Sequence, residues 1–311
     1  MSELLQRLLP ILFLILLGMS INKTQLLSNE VITGLKTIII KIALPVILFR
    51  SFATMTLEVS YLILFVLIFV YCCLLYVIGE IANKVMPKIF SRSYTGGYFT
   101  GFEFGMIGVG LFGAIWGVDQ LPVIMLIGFG HELFIWFFYV PLISSKGDGT
   151  FNLRSTLKDF IKTPTILGII IGVCFNILNI YGPFGQTIIG SSLYATIDFL
   201  APLTSPLILI VIGYAMNFGK INGKEATTYL LARWVMVLGI GVPMLWLIKG
   251  LIQNLDPIFD QAYYAFILLP APYILPVFIK KQEESDFFSQ LLVYSTLTSF
   301  VGYIVLLWVS L

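Results

Sequence analysis

The chain has 311 residues, of which 59% are hydrophobic and only 11% are charged. Charged residues make up about 25% of an ordinary soluble domain. A water-soluble protein of this length cannot hide so much apolar surface in one core, whereas a lipid bilayer covers it from outside. The net charge of +2 is too small to indicate nucleic-acid binding. The composition therefore favours an integral membrane protein.

Ten apolar stretches follow one another along the chain, and each approaches the length of about 20 residues that a membrane-spanning helix needs. They are predicted at 4–21, 31–53, 60–82, 95–117, 121–143, 163–182, 187–216, 226–250, 261–280 and 288–310. The first stretch has no basic leader and no small-residue cleavage site after it, so we expect a retained helix rather than a signal peptide. The predicted fold is all-α, with ten transmembrane helices.

The lysines and arginines are unevenly distributed between the predicted loops. Twelve lie in or beside the loops that follow odd-numbered spans, and only three lie at the opposite ends of the spans: Arg7, Arg50 and Lys249. Basic loops remain in the cytoplasm. Both termini are therefore expected on the extracytoplasmic side of a cell membrane.

The longest loop, 145–162, divides the predicted spans into two halves of five, residues 1–144 and 163–311. It is too short to form a domain of its own, so it is predicted to be a cytoplasmic linker. Since five is odd, the second half enters the membrane from the opposite side to the first. If the halves share a fold, they form an inverted repeat, which is a recurring architecture of secondary transporters.

The fourth and ninth spans, at corresponding places in the two halves, have sequences that disfavour a continuous helix. Glycine recurs through the fourth span from Gly96 to Gly117, and each glycine costs up to about 1 kcal/mol relative to alanine in a helix. The ninth contains Pro270, Pro272 and Pro276, which cannot all lie within an unbroken helix. Both spans are therefore predicted to be interrupted.

Paired interruptions point to a transport site, because unwound backbone at membrane depth must be buried in protein or line a water-filled cavity. The alternative for the fourth span is close helix packing, since Gly97, Gly101 and Gly105 recur at four-residue steps. Free N–H groups at a break can bind an anion and free C=O groups a cation, so the interruptions predict a polar ligand of either sign. The predicted substrate-binding residues are Glu103, Gly105, Gly108, Pro272, Tyr273 and Pro276.

Ionisable residues within the spans are the candidates for proton or ion coupling. Glu103 lies in the glycine-rich interruption, where it could carry a proton, bind a coupling cation or hold a cationic group of the substrate. Alternatively, it is a neutral acid that only caps free backbone. His131 and Glu132 are adjacent in the fifth span, where they could sense pH or form a structural hydrogen bond between helices. Asp198, early in the seventh span, could act in transport or could lie in an interfacial turn or cap.

Other reactive or charged residues receive structural interpretations. Cys72, Cys73 and Cys174 lie in apolar segments without zinc or redox spacing, and a single histidine excludes a multi-histidine metal site, so no metal or cofactor is predicted. We expect Arg50 to snorkel to the outer face and Arg233 to lie near the cytoplasmic end of the eighth span.

Short motifs occur in an ordered series along the chain: Leu9-Pro10-Ile11, Ala43-Leu44-Pro45, Gly105-Met106-Ile107-Gly108, Lys162-Thr163-Pro164, Ile212-Gly213 and the Pro270–Pro276 run. Their order and spacing resemble the auxin efflux carrier family of membrane transporters, in its bacterial branch. The resemblance implies two inverted five-helix repeats, similar to the bile-acid sodium symporter fold, with broken helices 4 and 9 crossing at the substrate. It also implies a scaffold of helices 1, 2, 6 and 7, a mobile transport unit of the others, and often a homodimer.

Characterised relatives in that family carry organic anions, but one position in this chain departs from the family pattern. Many members have an asparagine in the fourth helix where this chain has Glu103. A permanent negative charge would repel a carboxylate substrate. Either Glu103 is protonated when the substrate binds, which gives proton coupling, or the substrate is not a simple anion.

These features predict a secondary active transporter that moves a small polar solute, with an organic acid favoured, by alternating access and with proton coupling through Glu103. The alternatives are a carrier for a cationic or zwitterionic solute and a sodium-coupled symporter. A channel would need a continuous polar stripe, a receptor a sizeable loop or tail, and a membrane enzyme a catalytic cluster. The sequence favours none of these three, and no enzymatic activity is expected.

Overall fold

A computed structural model describes residues 2–146, 161–216 and 223–310, and these residues form helices, turns and loops without a β-strand. In chain order the helices are α1 Ser2–Thr24, α2 Asn29–Thr54, α3 Tyr61–Val85, α4 Thr95–Phe99, α5 Val109–Trp116, α6 Val118–Lys146, α7 Pro164–Ile177, α8 Tyr181–Gly185, α9 Ile188–Ala215, α10 Gly223–Leu251, α11 Phe259–Ile267 and α12 Gln282–Ser310. Turns of π-helix, Ile39–Ala43 and Ile135–Tyr139, lie within α2 and α6. The all-α prediction is confirmed for this part of the chain.

Seven helical segments within the described ranges are long and apolar enough to cross a membrane: α2, α3, the segment Thr95–Trp116, α6, α9, α10 and α12. They correspond to seven of the ten predicted spans and indicate a multi-pass membrane protein. The first and sixth predicted spans contain shorter apolar helices, Leu9–Thr24 and Pro164–Ile177, and the ninth is interrupted. The count of ten spans and the inverted repeat stay predictions.

Large apolar side chains are exposed along these helices. They include Val66 on α3, Phe199 on α9, Val235 and Trp246 on α10, and Trp308 on α12. In water a surface of this kind promotes aggregation, whereas the hydrocarbon of a bilayer is as apolar as these side chains. The exposed surface therefore agrees with the membrane assignment.

The helices pack as two compact units, and each unit contains parts of both predicted halves. Unit 1 comprises Met1–Glu58, Gly105–Met125 and Arg154–Met216. Within it, α1 packs along α9 and α2 packs along α7. The predicted linker 145–162 lies mostly outside the described residues, and the division of the sequence into halves at that linker stays a prediction.

Glycines allow the paired helices of unit 1 to approach each other closely. A Cβ on Gly18 of α1 would overlap the carbonyl oxygen of Ile210, and a Cβ on Gly213 of α9 would overlap that of Ile15. Gly168 of α7 meets the main chain of α2 in the same way. Between membrane helices, where lipid is as apolar as the side chains, such backbone proximity increases the dispersion contacts that favour association.

Unit 2 comprises Val59–Phe104, Leu126–Leu153 and Asn217–Leu311, and it contains α3, α4, most of α6, and α10 to α12. Its interior is rich in fully buried aromatic side chains. Buried tyrosine hydroxyls need a hydrogen-bond partner. The hydroxyl of Tyr71 donates to the carbonyl oxygen of Val237, and that of Tyr263 to the carbonyl oxygen of Gly241, each at 2.9 Å.

Arg92 joins the loop before α4 to two other helices of unit 2. Arg92 donates from Nε to Oε1 of Glu225 on α10 at 2.8 Å, and from a terminal nitrogen to Oε2 of the same carboxylate at 3.1 Å. It also lies 3.1 Å from Glu283 on α12, whose side chain is exposed. The two-point contact matches the planar shapes of guanidinium and carboxylate, and the hydrogen bonds to Glu225 raise the pKa of Arg92.

Candidate functional site

The first interruption directly follows α4 in unit 2. Helix α4 ends at Phe99, and residues 100–103 are not helical. Gly101 has a φ of +67°, a conformation that favours glycine, and a Cβ there would lie 2.7 Å from Cγ of Pro272. Helical geometry resumes in the π turn Phe104–Gly108, which continues into α5. The predicted interruption of the fourth span is confirmed.

The second interruption follows α11, which ends at Ile267. Residues 268–274 are turns and loop, and a short 3₁₀ turn, Leu275–Phe278, comes next. Pro270 and Pro272 lie in the non-helical part, where their missing N–H groups leave no helical hydrogen bond unmade. The predicted interruption of the ninth span is therefore also confirmed.

Hydrogen bonds through Glu103 join the two interruptions. The main-chain N–H of Glu103 donates to the carbonyl oxygen of Pro270 at 2.8 Å. In the other direction, the N–H of Tyr273 donates to Oε2 of Glu103, also at 2.8 Å. Both bonds satisfy backbone groups that the breaks in the helices release. The hydroxyl of Tyr273 is in turn hydrogen-bonded to Thr296 of α12 at 2.6 Å.

His131 is the second side chain that binds the first interruption. The N–H of Phe102 donates to Nε2 of His131 at 2.9 Å. Nε2 of His131 therefore serves as a hydrogen-bond acceptor for the main chain of the interruption. The ring is 1% exposed and packs against Phe102, Phe104 and Phe266. The structural hydrogen bond, one of the two roles predicted for His131, is the one that this geometry supports.

Glu132 contacts two side chains of its own helix, α6. Its Oε2 accepts a hydrogen bond from Nε1 of Trp136 at 3.2 Å, one turn further along α6. Its other oxygen lies 3.8 Å from Nδ1 of His131. Its proposed part in proton coupling stays a prediction.

Arg233 on α10 is the third side chain at the interruptions, and sequence reasoning did not assign it there. Its guanidinium donates to the carbonyl oxygens of Tyr98 at 2.6 Å, Gly101 at 2.8 Å and Leu269 at 3.3 Å. The residue is 4% exposed. We expected Arg233 near the end of its span; instead it is buried against both breaks. The sequence did contain a signal for this position: a charged residue well inside an apolar span is a candidate functional residue.

The predicted substrate-binding residues are only partly brought together. Glu103, Pro272 and Tyr273 lie together in unit 2. Pro276 lies in the 3₁₀ turn, where its carbonyl oxygen accepts a hydrogen bond from Oγ of Ser285 at 3.2 Å. The remaining two residues, Gly105 and Gly108, follow Glu103 in the π turn. Their packing contacts belong to unit 1.

Asp198 belongs to unit 1, where it takes part in an ion pair. Arg50 of α2 donates to its carboxylate at 2.6 Å, and Asp119 lies 3.7 Å from the same guanidinium. Arg50 and Asp119 line a cavity of about 340 Å³. The turn or cap considered for Asp198 is wrong, because α9 is capped by Thr187 and Asp198 lies within the helix. A coupling role for Asp198 stays a prediction.

Metal-ligating side chains are scattered through the described residues, which contain no group of three or more His, Cys, Asp or Glu able to hold a metal ion. Cys72 is buried, Cys73 half-buried and Cys174 exposed. A scan against protein-family models finds no match, and a search of curated proteins finds no similar sequence. The resemblance to the auxin efflux carriers therefore stays a prediction.

Proposed function

We propose that the protein is a secondary transporter that moves a small organic acid across the membrane by alternating access. The observation that carries the proposal is the junction of two interrupted apolar segments through Glu103. In a membrane protein, such breaks are maintained only where the backbone is buried in protein or lines a cavity. Interrupted helices that meet in this way form the substrate and ion sites of many carriers.

The charges at the interruptions support an anionic substrate. Arg233 carries a positive charge, since a guanidinium is not deprotonated in proteins. An ionised Glu103 offsets that charge, whereas a protonated Glu103 leaves the cluster formally positive and favours an anion. Other titratable side chains near Arg233 and Glu103 include His131 and Tyr139 on α6, Tyr71 and Cys72 on α3, Tyr98 and Tyr273. Entry of an organic anion together with a proton on Glu103 would keep the net charge of the site unchanged.

The composition of the two packing units supports the carrier proposal at the level of the fold. In the resembled family, helices 1, 2, 6 and 7 form a scaffold and the others form a mobile unit. Here the segments of the first, second, sixth and seventh predicted spans fall in unit 1, and those of the third, eighth, ninth and tenth fall in unit 2, while the fourth and fifth are divided between the two units. We propose ten spans in two inverted repeats, both termini outside the cytoplasm, and a homodimeric assembly.

Solute flux in liposomes tests the function. Purified protein is reconstituted with a pH-sensitive dye inside the vesicles, and organic acids, amines and amino acids are added in turn, with and without a sodium gradient. We expect an organic acid to enter and to acidify the lumen in protein-containing vesicles only. Entry of amines alone, or flux that requires sodium, would favour the alternative carriers, and absence of flux for every solute would refute the proposal.

Glu103→Gln tests the role of the carboxylate within the same assay. The amide keeps the size and the hydrogen-bonding oxygen of Glu103 but cannot bind a transferable proton. We expect solute-dependent acidification to be lost. The matched control is Glu283→Gln, an exposed carboxylate at the start of α12, which should transport like the wild type. If uptake and its pH dependence are unchanged in Glu103→Gln, the role given to Glu103 is wrong.

A further inference from the structure

The guanidinium of Arg233 collects main-chain oxygens from both interruptions. Tyr98 belongs to the last turn of α4, Gly101 to the following break, and Leu269 to the segment just after α11. The last carbonyls of a helix have no intrahelical partner, and the C-terminal end of a helix carries partial negative charge. The oxygen of Tyr98, from such a helix end, and those of Gly101 and Leu269, from unwound backbone just beyond two helix ends, converge and create a local environment that favours a cation.

Aromatic faces add to this environment. The central carbon of the guanidinium lies 5.2 Å from the ring centroid of Phe102 and 5.6 Å from that of Tyr98. Aromatic faces attract cations, and the attraction is stronger where water is excluded. The same groups would not distinguish a guanidinium from a small monovalent cation by charge, since both are attracted by carbonyl oxygens and ring faces.

We propose that the carbonyl oxygens of Tyr98, Gly101 and Leu269 form a cation-binding cage, and that Arg233 is its resident, covalently attached cation. Main-chain carbonyls of broken helices coordinate sodium in other secondary transporters. Here the guanidinium of Arg233 binds the three carbonyl oxygens that a dissolved cation would need as ligands. The inference rests on the proposed transport function and deepens it, because it removes sodium as the coupling ion at this site.

A purely structural role does not require a charged side chain. Burial of a charge costs several kcal/mol unless its surroundings compensate, so a neutral amide would be the less costly donor to three carbonyls. Arg233 is nevertheless charged and only 4% exposed. A cage that itself favours positive charge explains why a guanidinium lies there. This distinction makes charge, rather than hydrogen bonding alone, the property to be tested.

Thermal unfolding of the purified protein in detergent tests the cage without any transport measurement. Wild type, Arg233→Ala and Arg233→Lys are compared in sodium chloride, guanidinium chloride at low concentration, and N-methyl-D-glucamine chloride, all at one ionic strength. We expect the melting temperature of Arg233→Ala to rise by about 3 °C or more in sodium or guanidinium relative to the bulky cation. Wild type and Arg233→Lys, which keep an attached cation, should show no such difference.

Two results would overturn the proposal. One is stabilisation of the wild type by sodium over N-methyl-D-glucamine; the other is an Arg233→Ala protein that melts at the same temperature in all three salts. If Arg233→Ala does not give folded protein, Arg233→Val, which fills part of the volume without a hydrogen-bond donor, replaces it with the same two outcomes. Failure of this test leaves the carrier function intact, whereas absence of solute flux with an intact salt response would refute the carrier and leave the cage.

Discussion

Gly213→Ala is expected to force α1 and α9 apart and to destabilise unit 1. The added Cβ would overlap the carbonyl oxygen of Ile15 and lie 3.0 Å from its Cα. These are main-chain atoms, so no change of side-chain rotamer relieves the overlap. Overpacking costs about 1–3 kcal/mol, and the rigid backbone contact favours the upper end. Alanine returns up to about 1 kcal/mol through its helix propensity, which leaves a net loss of about 2 kcal/mol.

Gly34→Ala is the matched control for this prediction. Gly34 lies in α2 of the same unit, and a Cβ there would have no heavy atom of the described residues within 4 Å. The variant should therefore be neutral or more stable by up to about 1 kcal/mol. The free energy of unfolding of both variants is measured by denaturant titration in mixed micelles. Equal effects of the two substitutions would show that the close contact between α1 and α9 is not as described.

Two further predictions concern hydrogen bonds in unit 2. Glu225→Gln should lower the free energy of unfolding by about 1–3 kcal/mol, because it weakens a partly buried two-point contact with Arg92. Glu283→Gln removes a charge on the exposed side of the same arginine and should lower the free energy of unfolding by at most about 1 kcal/mol. His131→Phe should cost about 1–3 kcal/mol, because it leaves the buried N–H of Phe102 without its acceptor. His131→Gln supplies an oxygen in its place and should recover part of that loss; equal losses in the two His131 variants would contradict the assigned hydrogen bond. Both pairs are measured by the same denaturant titration.

The interruptions and the carboxylate between them could be predicted because their causes are local. Proline and clustered glycine disfavour a helix wherever they occur, and Glu103 is conspicuous as a charge among apolar residues. Tyr273 was predicted from its place in the proline-rich run. The sequence did not indicate the partners of the hydrogen bonds at these interruptions. Glu103 is hydrogen-bonded to the second interruption through both its backbone N–H and its side chain.

The contacts that sequence reasoning missed join residues distant in the chain. Arg233 binds Gly101 across 132 residues, and Arg50 binds Asp198 across 148 residues. Hydrophobicity locates a span but does not tell which face of it meets which neighbour. The ion pair of Arg50 with Asp198 was therefore not predicted, and the expected snorkelling of Arg50 to the outer face stays a prediction. The close contact at Gly213 was not predictable for the same reason.

Sided chemical labelling at Gly105 tests the central claim, alternating access at the interruption, most directly. Gly105 is the second residue of the π turn that follows the break, and a Cβ there would meet no described heavy atom within 4 Å apart from its neighbours in the chain and turn, so Gly105→Cys should be tolerated in a protein whose three native cysteines are replaced. We predict that a membrane-impermeant maleimide modifies this cysteine both from outside, in intact cells, and from the cytoplasmic side, in inverted vesicles. The buried native Cys72, kept as the sole cysteine, should be modified from neither side. Modification of Gly105→Cys from one side only would contradict the account.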